Sequence, residues 1–335
     1  MTGTPSQGGG EFHAGQLLDR RYPGRVMHIT FPDNFPRESV TVVAQLTGLA
    51  SDKRVRIMVV GQAVPGAAAA ARQIRGARRD VLIGFVSPHE DPDSIGAACD
   101  LTLGTDPLAR GAGIVDSART MGARSFVHYS FPRHLSQRLV AQGRDAMARA
   151  CRRRGIKFYQ VEAPDPAGGE GLTAARRFVL EDVPRRLDTL GTATAFYATC
   201  DGLQEPLIKA ILTAGSGYFV EQDVPSPIAG YPEALGLKIS AERADSVALV
   251  QAEIRRAIAE KGMSGHFGGW AADPDAVALR AATALLVDAA DGKADPRDST
   301  TVLRYLTAEA GVPLRIHRYA PGRNHWLITM DHVTY

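Results

Sequence analysis

The chain holds 335 residues, 44% of them hydrophobic and 22% charged, which excludes wholesale disorder and allows two domain-sized units with buried cores. The 39 basic and 36 acidic residues leave a net charge of +3, which gives no case for a nucleic-acid surface. No stretch approaches the roughly 18 apolar residues of a membrane span, and no basic stretch followed by an apolar run marks a signal peptide. The opening Met1–Gly10 reads as a strand-to-helix loop without a strand ahead of it, with Gly8-Gly9-Gly10 flexible. A parallel sheet starts with an apolar strand that feeds such a loop, so a first strand, with or without an export signal, is expected upstream.

Val26–Thr30 then reads as a strand, and Glu38–Leu49 as a helix with Val42, Val43, Leu46 and Leu49 at helical spacing. Ile57–Val60 is a short, wholly apolar run, as a strand covered on both faces should be. A helix over Gly66–Arg75, a strand over Val81–Val86 and a weaker strand over Leu101–Leu103 follow. Helix Pro107–Met121 ends at Gly122, and a second series opens with strand Ser125–Ser130. It runs through helix Ser136–Arg154, strand Lys157–Val161, helix Leu172–Leu190, strand Ala195–Thr199, helix Gln204–Ala214 and strand Tyr218–Glu221. Beyond a Pro/Gly-rich stretch, helices are expected over Ala241–Lys261 and Asp275–Ala290, then a polar tail with one last strand over Trp326–Met330. Alternation of this kind argues for an α/β fold of two doubly wound parallel-sheet lobes; one wide sheet is the alternative. Cys99, Cys151 and Cys200 are odd in number and widely spaced, and are expected as free thiols rather than disulfides or metal ligands.

The segment Leu101–Gly111, followed by a helix, Gly122 and a strand, resembles the first lobe-to-lobe crossover of type I periplasmic binding proteins, the ribose-binding and Lac-repressor effector fold. Thr194–Ala210, with Asp201 at a strand end, is similar to their ligand-facing acidic strand, and Gly265–Pro274 to their return crossover. A closer resemblance is to a bacterial family of unknown function classed near them. It rests on Phe31–Phe35, Gln62–Gly66, Pro88–Pro92, Ser130–His134, Ala163–Pro166, Leu180–Pro184 and Gly230–Gly236, and covers about residues 1–290. The resemblance implies one lobe of residues 1–107 plus about 271–293 and another of 108–270 plus about 294–335, with a ligand cleft between them. It implies neither ligand nor reaction.

Most unusual residues fall just past the carboxyl ends of expected strands, where open α/β sheets hold ligands. Candidates on that edge are Thr4, Ser6, Gln7, Asp33, Asn34, Phe35, Gln62, His89, Glu90, Ser130, Arg133, His134, Asp165, Asp201, Asp223 and Trp270. Asp201 leads, because a short carboxylate at a strand end accepts two hydrogen bonds from hydroxyls or an amine; N-capping the next helix is its ordinary alternative. Arg133 could clamp a carboxylate or phosphate, or pair with a surface acid. His89, Glu90 and Asp91 diverge in direction, so a metal is not expected, and no cofactor signature is present. The leading reading is a binding protein that closes around a small polar, sugar-like or amine-bearing molecule for uptake or sensing. Its partner would be an ABC-type transporter or a sensor, without a membrane span and without nucleic acid bound by this chain alone. A cytosolic enzyme on the same fold, drawing on His89, His128 and His134, and the effector half of a transcription regulator are the alternatives. The chain as written reads as cytoplasmic, and as periplasmic if an upstream signal and strand exist.

Overall fold

The computed structural model describes residues 1–32, 38–223, 226–239 and 246–335, with backbone alone at residues 5–8. The first stretch runs α1 (Pro5–Arg21), α2 (Ser39–Ser51), β1 (Ile57–Gly61), α3 (Ala67–Ala77), β2 (Leu82–Val86), α4 (Pro92–Ala98) and β3 (Leu101–Thr105). Next come α5 (Pro107–Met121), β4 (Ser125–Ser130), α6 (Pro132–Leu135), α7 (Arg138–Arg154), β5 (Lys157–Glu162), α8 (Gly171–Leu190) and β6 (Thr194–Ala198). They lead to α9 (Gln204–Ala214), β7 (Tyr218–Phe219), α10 (Tyr231–Leu235), α11 (Val247–Glu260) and β8 (Gly268–Trp270). The chain finishes with α12 (Pro274–Ala290), α13 (Ser299–Ala310), β9 (Leu314–Arg318), β10 (His325–Met330) and β11 (His332–Thr334). Two compact units result. Unit 1 is Met1–Thr105 with Ala272–Met330, and unit 2 is Asp106–Ala271 with Asp331–Tyr335.

Unit 1 holds a five-stranded sheet in the order β1-β2-β3-β10-β9, parallel except for β9, which pairs antiparallel with β10. Its strands alternate. Met58, Val60, Ile83 and Phe85 point into a core built with α2, α3 and α4, whereas Leu101, Leu103 and Trp326 meet α1, α12 and α13. Burial on both faces is what the apolar runs require, and each such side chain contributes about 1.5–3 kcal/mol. Asp273 starts α12 by accepting the Ala276 N–H at 2.9 Å, with Pro274 at the first helical position.

Unit 2 holds a four-stranded parallel sheet, β5-β4-β6-β7. Val127, Tyr129 and Phe196 face α8, α9 and α11; Phe126, Ala195 and Tyr197 face α5 and α7. Asp106 caps α5 through the Leu108 and Ala109 N–H groups at 2.9 and 3.0 Å, and Gly122 ends it at φ 108°. A Cβ on Gly111 would stand 2.7 Å from the Gly143 carbonyl, so the α5–α7 contact needs glycine there. A separate ribbon pairs β8 with β11, placing His332 opposite Trp270.

The expected pair of parallel-sheet units is present, not the single wide sheet that was its alternative. Three expectations change. Residues 294–330 join unit 1, not the second lobe, because β10 inserts beside β3 with Trp326 opposite Leu103 and carries β9 with it. The opening glycines lie inside α1, which starts at Pro5, rather than in a loop. Val26–Thr30 forms no regular strand. Only Thr30 is bridged, by Thr2, because residues 26–29 have no strand beside them to pair with. The start of the helix expected from Ala241 lies outside the described residues, and α11 is seen from Val247.

Candidate functional site

In unit 2, the carboxyl ends of β6 and β7 and the first turn of α5 bring one charged and aromatic group together. Arg110 comes from α5. Its Nε donates to Glu221 Oε1 at 3.0 Å and its Nη2 to the carbonyls of Gln222 and Asp223, both at 2.8 Å. The guanidinium lies 4.7 Å from the ring centroid of Trp270 and 5.8 Å from that of Tyr197. Trp270 is fixed in turn, its indole N–H donating to the Gln222 carbonyl at 3.1 Å. Glu221 is wholly buried, and burial alone would raise its pKa; His332 and Arg110 on either side of it hold it below the ordinary value. Burial would likewise lower His332, but the Glu221 contact raises it.

Two carboxylates remain accessible beside this frame. Asp223 accepts from the Tyr197 hydroxyl at 2.6 Å and has Arg110 Nη1 at 3.8 Å. Asp201 opens a single 3-10 turn, Asp201–Leu203, ahead of α9, and its side chain caps neither. Crowding by surrounding protein, with the negative charge of Asp223 added, raises Asp201 to about 6. It is therefore part-protonated near neutrality. Such a group can accept from a hydroxyl, donate to one, or surrender its proton to face a cation.

Unit 1 carries a different set at the carboxyl ends of β1 and β2. Glu11 of α1 is buried, and its pKa is raised well above the carboxylate range by burial, then by Asp275 and Asp273; interaction with Gln62 only partly offsets this. Asp273 rises to about 7, chiefly through burial and then through Asp275. Asp275 accepts from the Ser87 hydroxyl. Among the described residues, the non-glycine positions at positive φ are Gln62 (60°), Ala63 (31°) and Ser87 (46°), all in these two loops. Each such backbone costs on the order of 1–3 kcal/mol and persists where its surroundings enforce it, often at a binding site.

The structure places the remaining candidates as follows. Thr4 precedes α1; the side chains of Ser6 and Gln7, and Asp33, Asn34 and Phe35 entirely, lie outside the described residues. Gln62 and His89 are joined through backbone, His89 N–H to Gln62 carbonyl at 2.8 Å. Glu90 accepts the backbone N–H groups of Gly66 and Ala68 at 2.8 and 2.7 Å, so its carboxylate serves the start of α3. Asp91 caps α4. Arg133 and Asp165 form a bidentate pair, both contacts 2.8 Å, which is the ion-pair alternative for that arginine. The pairing holds Asp165 down to about 2. Ser130 bonds the Thr199 hydroxyl at 2.6 Å and His134 Nδ1 meets the Thr199 carbonyl, so neither engages the other. Burial raises the Cys200 thiol above its ordinary value, against a role as nucleophile, and all three cysteines are free. His128 is buried between Phe158 and Tyr197 and kept neutral, its pKa lowered to about 4 by burial. No group of three or more His, Cys, Asp or Glu could hold a metal among the described residues, and no described helix is long and apolar enough to cross a membrane.

Asp201, Asp223 and Trp270 are thus brought together, and Gln62 joins the acids of unit 1. Glu11, Ser87, Arg110, Tyr197, Glu221, Asp273, Asp275 and His332 were not singled out from sequence. Glu221, closing the expected strand Tyr218–Glu221, carried the same strand-end signal as Asp223; Asp273 stood in the quoted return crossover, and Asp275 opened the helix expected after it. Nothing local marked Glu11 or His332.

The comparisons agree with this architecture. Two uncharacterised proteins of Treponema pallidum (strain Nichols) are relatives. One is 37% identical over 145 residues, 43% of this chain and 66% of its own length. The other is 34% identical over 192 residues, 57% of this chain and 87% of its own length. A crystal structure of a candidate transcriptional regulator from Clostridium difficile 630 matches at TM-score 0.88 and 22% identity, covering 100% of this chain and 97% of that one. A sugar ABC transporter from Actinomyces odontolyticus matches at TM-score 0.60 and 10% identity over 86% of this chain and 80% of its own. A galactofuranose binding protein matches at TM-score 0.52 and 12% identity over 90% and 93%. At these identities the likeness is one of fold, the type I periplasmic-binding-protein-like arrangement of parallel sheets. A family model covers residues 1–268, and the chain belongs to that family, the proteins of unknown function DUF3798.

Proposed function

We propose that the protein captures a small polar molecule bearing hydroxyl or amine groups, for uptake or sensing. The observation that carries the reading is the accessible Asp201–Asp223 pair of unit 2, backed by Tyr197, Trp270 and Arg110. The two accessible carboxylates, held beside a buried frame of Arg110, Tyr197 and Trp270, supply the few placed polar groups that such ligands require. The strained loops and buried acids at the carboxyl edge of unit 1's own sheet are a separate candidate site within that unit. Neighbours of this fold include proteins described as a sugar ABC transporter and a galactofuranose binding protein, which fits a hydroxyl-rich ligand.

The test is calorimetry against a panel of neutral sugars and polyols and of primary amines and polyamines, with native mass spectrometry of whatever co-purifies. Asp201→Asn is expected to weaken the ligand tenfold or more. Equal affinity in the variant overturns the assignment. The pH profile separates the ligand classes. Affinity for an amine rises as pH passes about 6 and Asp201 ionises, whereas a neutral polyol shows little change. A second reading, an effector-binding module of a regulator, is favoured by the description of the full-length structural match. Identification of what the protein from its own cells is joined to or co-purifies with discriminates between them: a DNA-binding segment supports the regulator, a membrane permease the uptake reading.

A further inference from the structure

Asp223, one of the two accessible carboxylates of unit 2, stands at the end of a relay of charges that starts on β11. His332 Nδ1 contacts Glu221 Oε2, and Glu221 Oε1 accepts from Arg110 Nε at 3.0 Å. Arg110 Nη2 donates to the Asp223 carbonyl at 2.8 Å, and its Nη1 faces the Asp223 carboxylate at 3.8 Å. That last distance is within ion-pair range but beyond a hydrogen bond. The guanidinium is therefore committed to Glu221 and stands off Asp223.

Burial explains the preference. Glu221 is wholly buried, whereas 27% of the Asp223 side chain meets solvent. Water solvates Asp223 but cannot reach Glu221, so a single cation shared by the two goes to Glu221. A proton on His332 changes the count: Glu221 then has a second cation beside it, and Arg110 has charge to spare for Asp223. The His332 ring is closely held. A Cβ on Gly113 of α5 would stand 3.0 Å from its Nε2, and its centroid lies 6.4 Å from that of Trp270 with the planes 25° apart. The charged groups facing it are Glu221 just past β7, Arg110 of α5 and its chain neighbour Asp331. Burial lowers its pKa, as does Arg110, but Glu221 and Asp331 raise it by more, to above the ordinary 6.5. With 16% of the side chain exposed, protons reach it without any unfolding.

We propose that His332 is a positioning residue for Asp223, its protonation deciding through Glu221 and Arg110 whether that carboxylate is compensated or open to a ligand, a role that rests on reading Asp201 and Asp223 as the groups that meet the ligand. With His332 protonated, Arg110 closes on Asp223 and a cationic ligand is released. With His332 neutral, Arg110 stays with Glu221, and Asp223 is open to an amine. A neutral polyol, which needs acceptors rather than net charge, is little affected. Amine binding thus has a second pH dependence, in the same direction as that of Asp201 but carried by a residue that does not touch the ligand.

The experiment is done in an Asp201→Asn background, so that the neighbouring titration is absent. Carboxyl NMR of aspartate-labelled protein, with Asp223 assigned by its loss in Asp223→Asn, follows the site without any ligand. The Asp223 resonance is expected to shift as the His332 imidazole titrates, above pH 6.5. That step should vanish in His332→Asn, whose amide keeps a donor for Glu221 but takes up no proton. It should vanish also in Glu221→Gln, which cuts the relay and keeps the imidazole. Putrescine is the binding probe, read by calorimetry. Its affinity is expected to be about tenfold higher at pH 8.5 than at pH 6, and to differ by less than twofold in His332→Asn. An Asp223 resonance indifferent to His332 overturns the proposal, and so does a step that persists in Glu221→Gln or a pH ratio that His332→Asn leaves intact. Should one variant fail to fold, the other decides. An Asp223 step lost in the variants, in a protein that binds no putrescine at either pH, supports the relay and overturns the amine reading of the ligand.

Discussion

The loop edges of the two units solve the problem of buried acid in opposite ways. In unit 2, Glu221 is buried between Arg110 and His332, ionised and neutralised in place. In unit 1, Glu11 and Asp273 are buried close to a third acid, Asp275, with raised pKa values that favour holding protons. Strain follows the same division, for the described non-glycine residues at positive φ, Gln62, Ala63 and Ser87, all belong to unit 1. Unit 2 therefore has its buried charges already matched, whereas unit 1 combines strained backbone with buried acids pushed toward the protonated form. Substitutions that disturb these balances should have opposite signs in the two units.

The largest effect is expected from Arg110→Met in unit 2. It removes one of the two cations facing Glu221 while leaving the carboxylate buried, and breaking a buried pair in this way costs about 3–5 kcal/mol. Chemical denaturation checks it, and Glu221→Gln added to the variant should recover part of the loss. A cost below about 1 kcal/mol, within the range of surface pairs, would dissolve the contrast between the units.

Asp273→Asn should act in the opposite direction and stabilise. The folded pKa of about 7 lies above the ordinary 3.8, so the stability conferred by proton uptake is complete below pH 3.8 and lost as pH rises through 7. Asparagine carries no such titration and keeps the cap on Ala276, so its advantage should grow across that window and be larger at pH 8 than at pH 5. Thermal melts of both proteins at pH 5 and pH 8 measure this. A variant less stable at pH 8 would mean that Asp273 is ionised and partnered, like Glu221.

The smallest effect belongs to Arg133→Ala. The Arg133–Asp165 pair is half exposed on its arginine side, and pairs of that kind contribute about 0–1 kcal/mol. Ligand affinity should stay within twofold in the same calorimetry. A large affinity loss would extend the unit 2 face to this pair and bring back the anion-clamp reading of Arg133.

Sequence patterns carried the alternation of strands and helices well, because buried parallel strands such as β2 and β6 are nearly continuous apolar runs. They missed α13 and β9, whose half-buried, polar-rich sequences lack such runs. They read Val26–Thr30 as a strand because its composition suits one, while a ladder also requires a neighbour. At the site, Asp201 and Asp223 were legible from position at strand ends. Arg110 was not, since its partner Glu221 lies 111 residues away and nothing in local spacing announces the meeting. The positive-φ loops were equally hidden, because Gln62, Ala63 and Ser87 are not residues that advertise such backbone.

The insertion of β10 beside β3 has a consequence for synthesis. More than 200 residues separate these neighbours in the chain, so the sheet of unit 1 stays open at β3 until the last strands leave the ribosome. Unit 2, apart from its five closing residues, is made in one piece beforehand. The usual order, with the amino-terminal part settling first, is reversed: the earliest-made strands must wait longest, with apolar edges that invite chaperones or mispairing.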